Sequence, residues 1–148
     1  MANSTQYAKT VAASPSKIST TELHGRVRVA YADFTADAAQ ETINMFKLPD
    51  GARIIGGRLN HAALGSSTTV SVGHAAYTQA DGTVVALDVD EYKAAASSAS
   101  ATGSAIAATT ALGENSLVDA PDGLIITATT AGANATGLIT VQMTYVLD

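Results

Sequence analysis

The chain contains no cysteine and no tryptophan in its 148 residues. The missing cysteine excludes a disulfide framework, cysteine-based zinc sites and thiol nucleophiles. It leaves the redox compartment undecided. Cations are few: Lys and Arg total 8 against 13 Asp and Glu, a net charge of −5. The cations are scattered, so there is no basic stripe to displace counterions, which argues against nucleic acid as a partner. No run approaches the roughly 18 apolar residues of a membrane span, so no membrane partner is expected. The opening "MANSTQYAKTVAASPSK" lacks the apolar core of a secretion signal, so synthesis in the cytoplasm is expected. Aromatics make up only 5% of the chain.

What is present is a 47% apolar fraction dominated by alanine. Alanine buries little area, and burial contributes roughly 25 cal/mol per Å². A thin core is expected, with stability drawn partly from partner chains. The length suits one domain. Residues 1–22 are small and polar around Pro15, with no period of 3.6 or 2, and read as an extended N-terminal arm. Residues 23–148 read as a single β-sandwich domain.

Within that domain, "GRVRVAYADF" alternates Arg26 and Arg28 against Val27, Val29 and Tyr31, the period of a half-buried strand. "ETINMFKLP" follows, then a "PDG" turn at 49–51. "ARIIGGRLNHAAL" is a strand whose Gly56 and Gly57 predict a bulge or a close backbone approach. "LGSSTTVSVG" (64–73) is a strand with Val70 and Val72 inward and a small hydroxyl face, Thr69 and Ser71, suited to packing on another strand or subunit. "TVVALDV" is a fifth strand. "DVDEYKAAASSASA" offers acids before alanines and predicts one short helix near 89–97. The stretch 94–111 is low in complexity and reads as a loop. "LIITATT" and "LITVQMTYVL" read together as a hairpin over 123–147, with Ile139, Val141, Met143, Tyr145 and Leu147 on one face. Seven or eight short strands without βαβ alternation predict an all-β, antiparallel β-sandwich of jelly-roll type.

Reactive constellations are sparse. His24, His61 and His74 lack the i, i+4 spacing of a helical ligand pair, and no carboxylate stands beside them; His61 and His74 face each other only if their strands pair. Asp88, Asp90 and Glu91 form an oxygen cluster but miss the calcium-loop pattern, and a helix start explains them as well. No Gly-x-Ser-x-Gly elbow and no phosphate-binding glycine loop occurs. "GENS" (113–116) holds no catalytic pair, and "NAT" (134–136) is a bare glycosylation tripeptide without a secretion signal. Tyr77 and Tyr92 are the candidate aromatic contacts, and loop or interface anchoring is the commoner use. No catalytic, cofactor-binding or metal site is assigned, and no enzyme activity or cofactor is expected.

The order of motifs adds to this. "LPDGARIIGGRLNHAALGSSTTVSVGHAAY", then "DVDEYKAAASSASA", then "TATTAGANATGLITVQMTYV" resembles a family of small virion structural proteins of tailed bacteriophages. In that family a GAR strand, an LG-x-STT segment, a D-x-D-x-Y-x-AA segment and a GA-x-ATG hairpin follow in this order. The resemblance covers about 48–147. It implies a non-enzymatic β-sandwich bound to the outer face of the capsid: a decoration or cement protein whose partners are the major capsid protein and itself. A homotrimer is the favoured self-association, with a dimer second, and the virion surface is the implied location. The arm would suit reaching a neighbouring subunit. Two further classes stand beside this one, a tail, neck or fibre component and a receptor- or glycan-binding module.

Overall fold

The computed structural model describes Ser4, Ala8 and residues 25–38 and 40–148. Of the expected arm only Ser4 and Ala8 fall among them, joined by a hydrogen bond from Ala8 N to Ser4 O (3.0 Å). His24 lies outside the described residues.

Among the described residues ten strands follow one another: β1 (Val27–Ala38), β2 (Thr42–Leu48), β3 (Arg53–His61), β4 (Thr69–His74), β5 (Tyr77–Thr78), β6 (Val84–Val85), β7 (Asp88–Ser97), β8 (Thr102–Ile106), β9 (Leu124–Ala131) and β10 (Ala135–Val146). One sheet has the order β1-β10-β3-β8 and the other β2-β9-β4-β7, while β5 and β6 form a separate two-stranded ribbon. Every pairing is antiparallel. With the ribbon set aside, the first strand pairs with the last: β1 with β10, β2 with β9, β3 with β8, β4 with β7. A long antiparallel ribbon rolled in this way gives the two facing sheets of a jelly-roll sandwich. The fold class expected from the sequence is therefore the observed one.

The core lies between the sheets. Leu48, Ile54, Leu59, Leu64, Ile106, Ile126, Ile139 and Met143 are fully buried. In β10 the alternation seats Ile139, Val141 and Met143 inward. At its end Tyr145 and Leu147 stay half-buried and Val146 is the buried residue. The expected bulge at the paired glycines is present: β10 advances from Thr144 to Tyr145 while β3 moves from Gly56 to Ile54. Gly56 has φ +137, a conformation open to glycine. Gly57 supplies the close approach, since a Cβ there would stand 2.4 Å from Gln142 O.

Four expectations are corrected. The segment 89–97 is not a helix; Asp88–Ser97 is the strand β7, paired with β4. Alanine is the best helix former, but propensity yields to tertiary context, and nine residues fall short of the roughly 12–15 that an isolated helix needs. The edge of β4 offers backbone hydrogen bonds that an extended β7 can take up. The stretch 94–111 is not all loop, because β8 pairs with β3 from Gly57↔Ile106 to His61↔Thr102. Gly103 permits this, as a Cβ there would meet Asn60 Oδ1 at 2.4 Å. The segment "TVVALDV" divides between the two-residue β6 and the start of β7. Finally, 123–147 is not a hairpin: β9 and β10 lie in opposite sheets, as the jelly-roll roll-up requires of most consecutive strands.

Candidate functional site

The structure keeps the two described histidines apart. His61 ends β3 in one sheet and His74 ends β4 in the other, so their strands do not pair. Each ring is buried and sits within hydrogen-bond distance of the next residue's carbonyl, His61 Nδ1 to Ala62 O (2.8 Å) and His74 Nδ1 to Ala75 O (2.9 Å). Among the described residues no group of three or more His, Asp or Glu side chains could hold a metal ion.

The acids at 88–91 serve β7 itself. Asp88 Oδ1 accepts a hydrogen bond from Asp90 N (3.0 Å). That bond is the main reason the Asp88 carboxyl is held below the usual aspartate range, with the nearby His74 adding to it. Here β7 departs from a regular ladder. Between Val70 and Val72 of β4 the partner moves from Ala96 to Lys93, three residues for two. Between Val72 and His74 it moves from Lys93 to Asp88, five for two. The extra residues fold over the outer face of β4. Ser71 Oγ donates to Val89 O (2.8 Å), and a Cβ on Gly73 would meet Asp88 O at 2.0 Å. The hydroxyl face of "LGSSTTVSVG", expected to meet another strand or subunit, is covered at Ser71 by the chain's own β7. Thr68, just before β4, is also buried and its hydroxyl is shared between Gly65 O (2.7 Å) and Ser98 Oγ (2.8 Å).

The tyrosines close this end of the sandwich. Tyr92 is 4% exposed, and burial pushes its phenol well above the ordinary range. Its ring and that of Tyr77 both pack edge-on to His74, at centroid distances of 6.2 and 5.2 Å. Tyr77 is half-buried, and desolvation followed by the charges of Asp119 and Glu91 raises its pKa. Tyr92, being buried, offers no open face to a sugar. A shallow depression of ≈ 240 Å³ lies alongside, lined by Lys47, Tyr77, Ala120, Asp122 and Ile125 among others. The segment 113–116 is a latch: Asn115 N donates to Ile54 O (2.8 Å) and Ile54 N donates to Ser116 O (3.0 Å). Asn134 is exposed in the short loop between β9 and β10.

The most distinctive surface was the one whose direction the sequence pattern left unassigned. Val27, Val29 and Tyr31 are 63%, 56% and 59% exposed, in line on the outer face of β1. The alternation in "GRVRVAYADF" is genuine, but the other parity points inward. Ala36 is buried and Phe34 and Ala30 pack against the core. With an unbroken register along the strand, those residues force the valines outward. Beside the stripe, Asp33 accepts hydrogen bonds from Thr140 Oγ1 (2.6 Å) and from the Tyr31 hydroxyl, and both hold its carboxyl below the usual range.

No protein-family model matches the chain, and no curated protein matches its sequence. Solved structures do match its fold. It is similar over 99% of its length to 98% of a chain in the capsid asymmetric unit of cyanophage Pam1, with a TM-score of 0.63 and 19% identity. A chain in the capsid of Ralstonia phage GP4 gives a TM-score of 0.63 at 21% identity, covering 84% of this chain and 86% of that one. A chain in the acidic stable capsid structure of Helicobacter pylori bacteriophage KHP30 gives 0.56 at 18% identity, covering 82% and 87%. At these identities the likeness establishes the fold.

Proposed function

We propose that the chain is a structural protein of a tailed-phage virion, and specifically a decoration or cement protein on the outer face of the major capsid lattice. One observation carries the reading. The jelly roll matches, nearly end to end, a chain of a phage capsid asymmetric unit that is itself about this size. A small free-standing sandwich in that setting suits an accessory part better than the lattice-forming protein. The surface chemistry supports this. The described residues present closed sheet faces, turns latched to strands and exposed apolar side chains on β1, all suited to protein contact. Many weak contacts repeated over a lattice hold strongly without a tight single site. A net negative charge favours solubility before assembly.

The partners in this reading are the major capsid protein and further copies of the chain, with a trimer favoured over a dimer, and the location is the capsid surface. The arm over 1–22 would reach a neighbouring subunit. The test is reconstitution. Purified protein added to expanded capsids that lack it should bind at saturating stoichiometry and raise the temperature at which the shells rupture. Binding to isolated tails and not to capsids would move the protein to the tail or neck.

A further inference from the structure

The outer sides of the two sheets are finished differently. On the β2-β9-β4-β7 sheet the extra residues of β7 lie over the centre, so Ser71 and Thr127 are buried although both point outward. The outer side of the β1-β10-β3-β8 sheet stays open. It carries Val27, Val29, Tyr31 and Leu138, four of the seven large hydrophobic side chains left exposed among the described residues. The polar side chains of this open face are tied down on it. Asp33 accepts hydrogen bonds from Thr140 Oγ1 (2.6 Å) and from the Tyr31 hydroxyl. Two strands across, Asn60 Oδ1 accepts from Arg58 Nε (2.8 Å). Gly103 on β8 leaves room for both, since a Cβ there would stand 2.4 Å from Asn60 Oδ1 and 2.7 Å from Arg58 Nη2. The guanidinium is thus laid across β8 with its Nε occupied. Among the described residues its two terminal nitrogens have no acceptor.

We propose that this open face docks onto the capsid lattice, with Arg58 taking a carboxylate side chain of the major capsid protein through its two terminal nitrogens. The contact rests on the decoration reading and adds to it the face turned to the shell and the chemistry that meets it. A guanidinium fork matches a carboxylate in two parallel hydrogen bonds. Holding the fork in place beforehand lowers the ordering cost of binding. Asp33 and Asp37 on the same face repel a run of phosphates, so a single acid on a protein surface fits where a nucleic-acid backbone does not. A second copy is a poorer occupant. Of the two acids on its open face, Asp33 already accepts a bond at each oxygen, and Asp37 stands near the end of β1. Tyr31 and Arg58 both flank Gln142, two strands or about 10 Å apart, so one partner segment can meet both. The apolar side chains of β1 then help to exclude water from the charged pair.

Capsids that lack this protein, incubated with purified parent and variants over a range of concentrations, test the contact. Arg58→Gln should raise the dissociation constant about tenfold or more, since it leaves the partner's carboxylate covered and unpaired. Gly103→Ala keeps the arginine but displaces it together with Asn60, and should weaken binding in the same direction. A glycine with only a structural role would change stability and leave binding as it is. Val84→Ser, 72% exposed but on β6, should bind like the parent. Added salt should weaken binding of the parent more than that of Arg58→Gln. If the parent binds, and Arg58→Gln and Gly103→Ala bind equally well, the contact is overturned and the decoration reading stands. A parent that does not bind overturns both. A solution mass of the isolated protein that falls with Arg58→Gln would make the face a contact between copies, which also overturns the proposal.

Discussion

Replacing Gly73 with alanine tests the placement of β7 over β4. A Cβ on Gly73 would stand 2.0 Å from Asp88 O, 2.5 Å from Val89 C and 2.8 Å from Asp88 C. All three are backbone atoms, so no flexible side chain can give way. The segment 88–89 must lift. Overpacking of this kind costs about 1–3 kcal/mol. Lifting also breaks the bond from Ser71 Oγ to Val89 O, which adds about 1 kcal/mol. The expected loss is therefore ~2–4 kcal/mol. For a chain of this length it should lower Tm by roughly 5–15 °C. Urea titration and a thermal melt followed by circular dichroism would measure it. Two companions separate the causes. Ser71→Ala removes only the hydrogen bond and should cost about 1 kcal/mol. Gly82→Ala has φ +88 but no atom within 4 Å of the new Cβ, so it carries only backbone strain, about 1–2 kcal/mol. A Gly73→Ala chain within about 0.5 kcal/mol of the parent, below the cost of overpacking, would show that residues 88–89 do not lie on β4.

Met143→Ala, at a fully buried position in β10, should lose about 2–5 kcal/mol in the same titration, while Leu138→Ala on the exposed face should stay within about 0.5 kcal/mol. The lowered pKa of Asp88 stabilises the folded state above its unfolded value of about 3.9, and that contribution is lost as pH falls through the lower folded value. Asp88→Asn keeps an acceptor for Asp90 N but carries no charge, so its urea midpoint should fall less steeply below about pH 4 than the parent's. Addition of a chelator should leave Tm unchanged, and added zinc should shift the Tm of neither the parent nor His61→Gln, because the described residues assemble no metal-binding group. A rise in Tm with zinc that His61→Gln abolishes would contradict this.

Strand positions were legible where the chain alternates cleanly, and less so where a strand is held by distant partners. β10 announces itself through Ile139, Val141 and Met143, and the paired glycines at 56 and 57 marked the bulge. The jelly-roll class followed from the strand count and the absence of βαβ alternation. The helix over 89–97 was misread because alanine composition is local, whereas the β4 edge that captures β7 is brought in by the fold. β8 was hidden by its small residues; the value of Gly103 is the space it leaves for Asn60 and Arg58. The direction of β1 turned on Phe34 and Ala36, several residues beyond the alternating stretch. In "LGSSTTVSVG" the valines point inward as expected, but the glycine at its end matters more than its hydroxyls suggested. Gly73 is what lets β7 close over the strand.

The proposed decoration role is tested most directly by cryo-EM of intact phage particles from the source of this chain. A jelly-roll sandwich repeated on the outside of the head, at a copy number set by the capsid lattice, is the expected result. Its absence from the head, or its presence in only a few copies at the neck or tail, would contradict the decoration role.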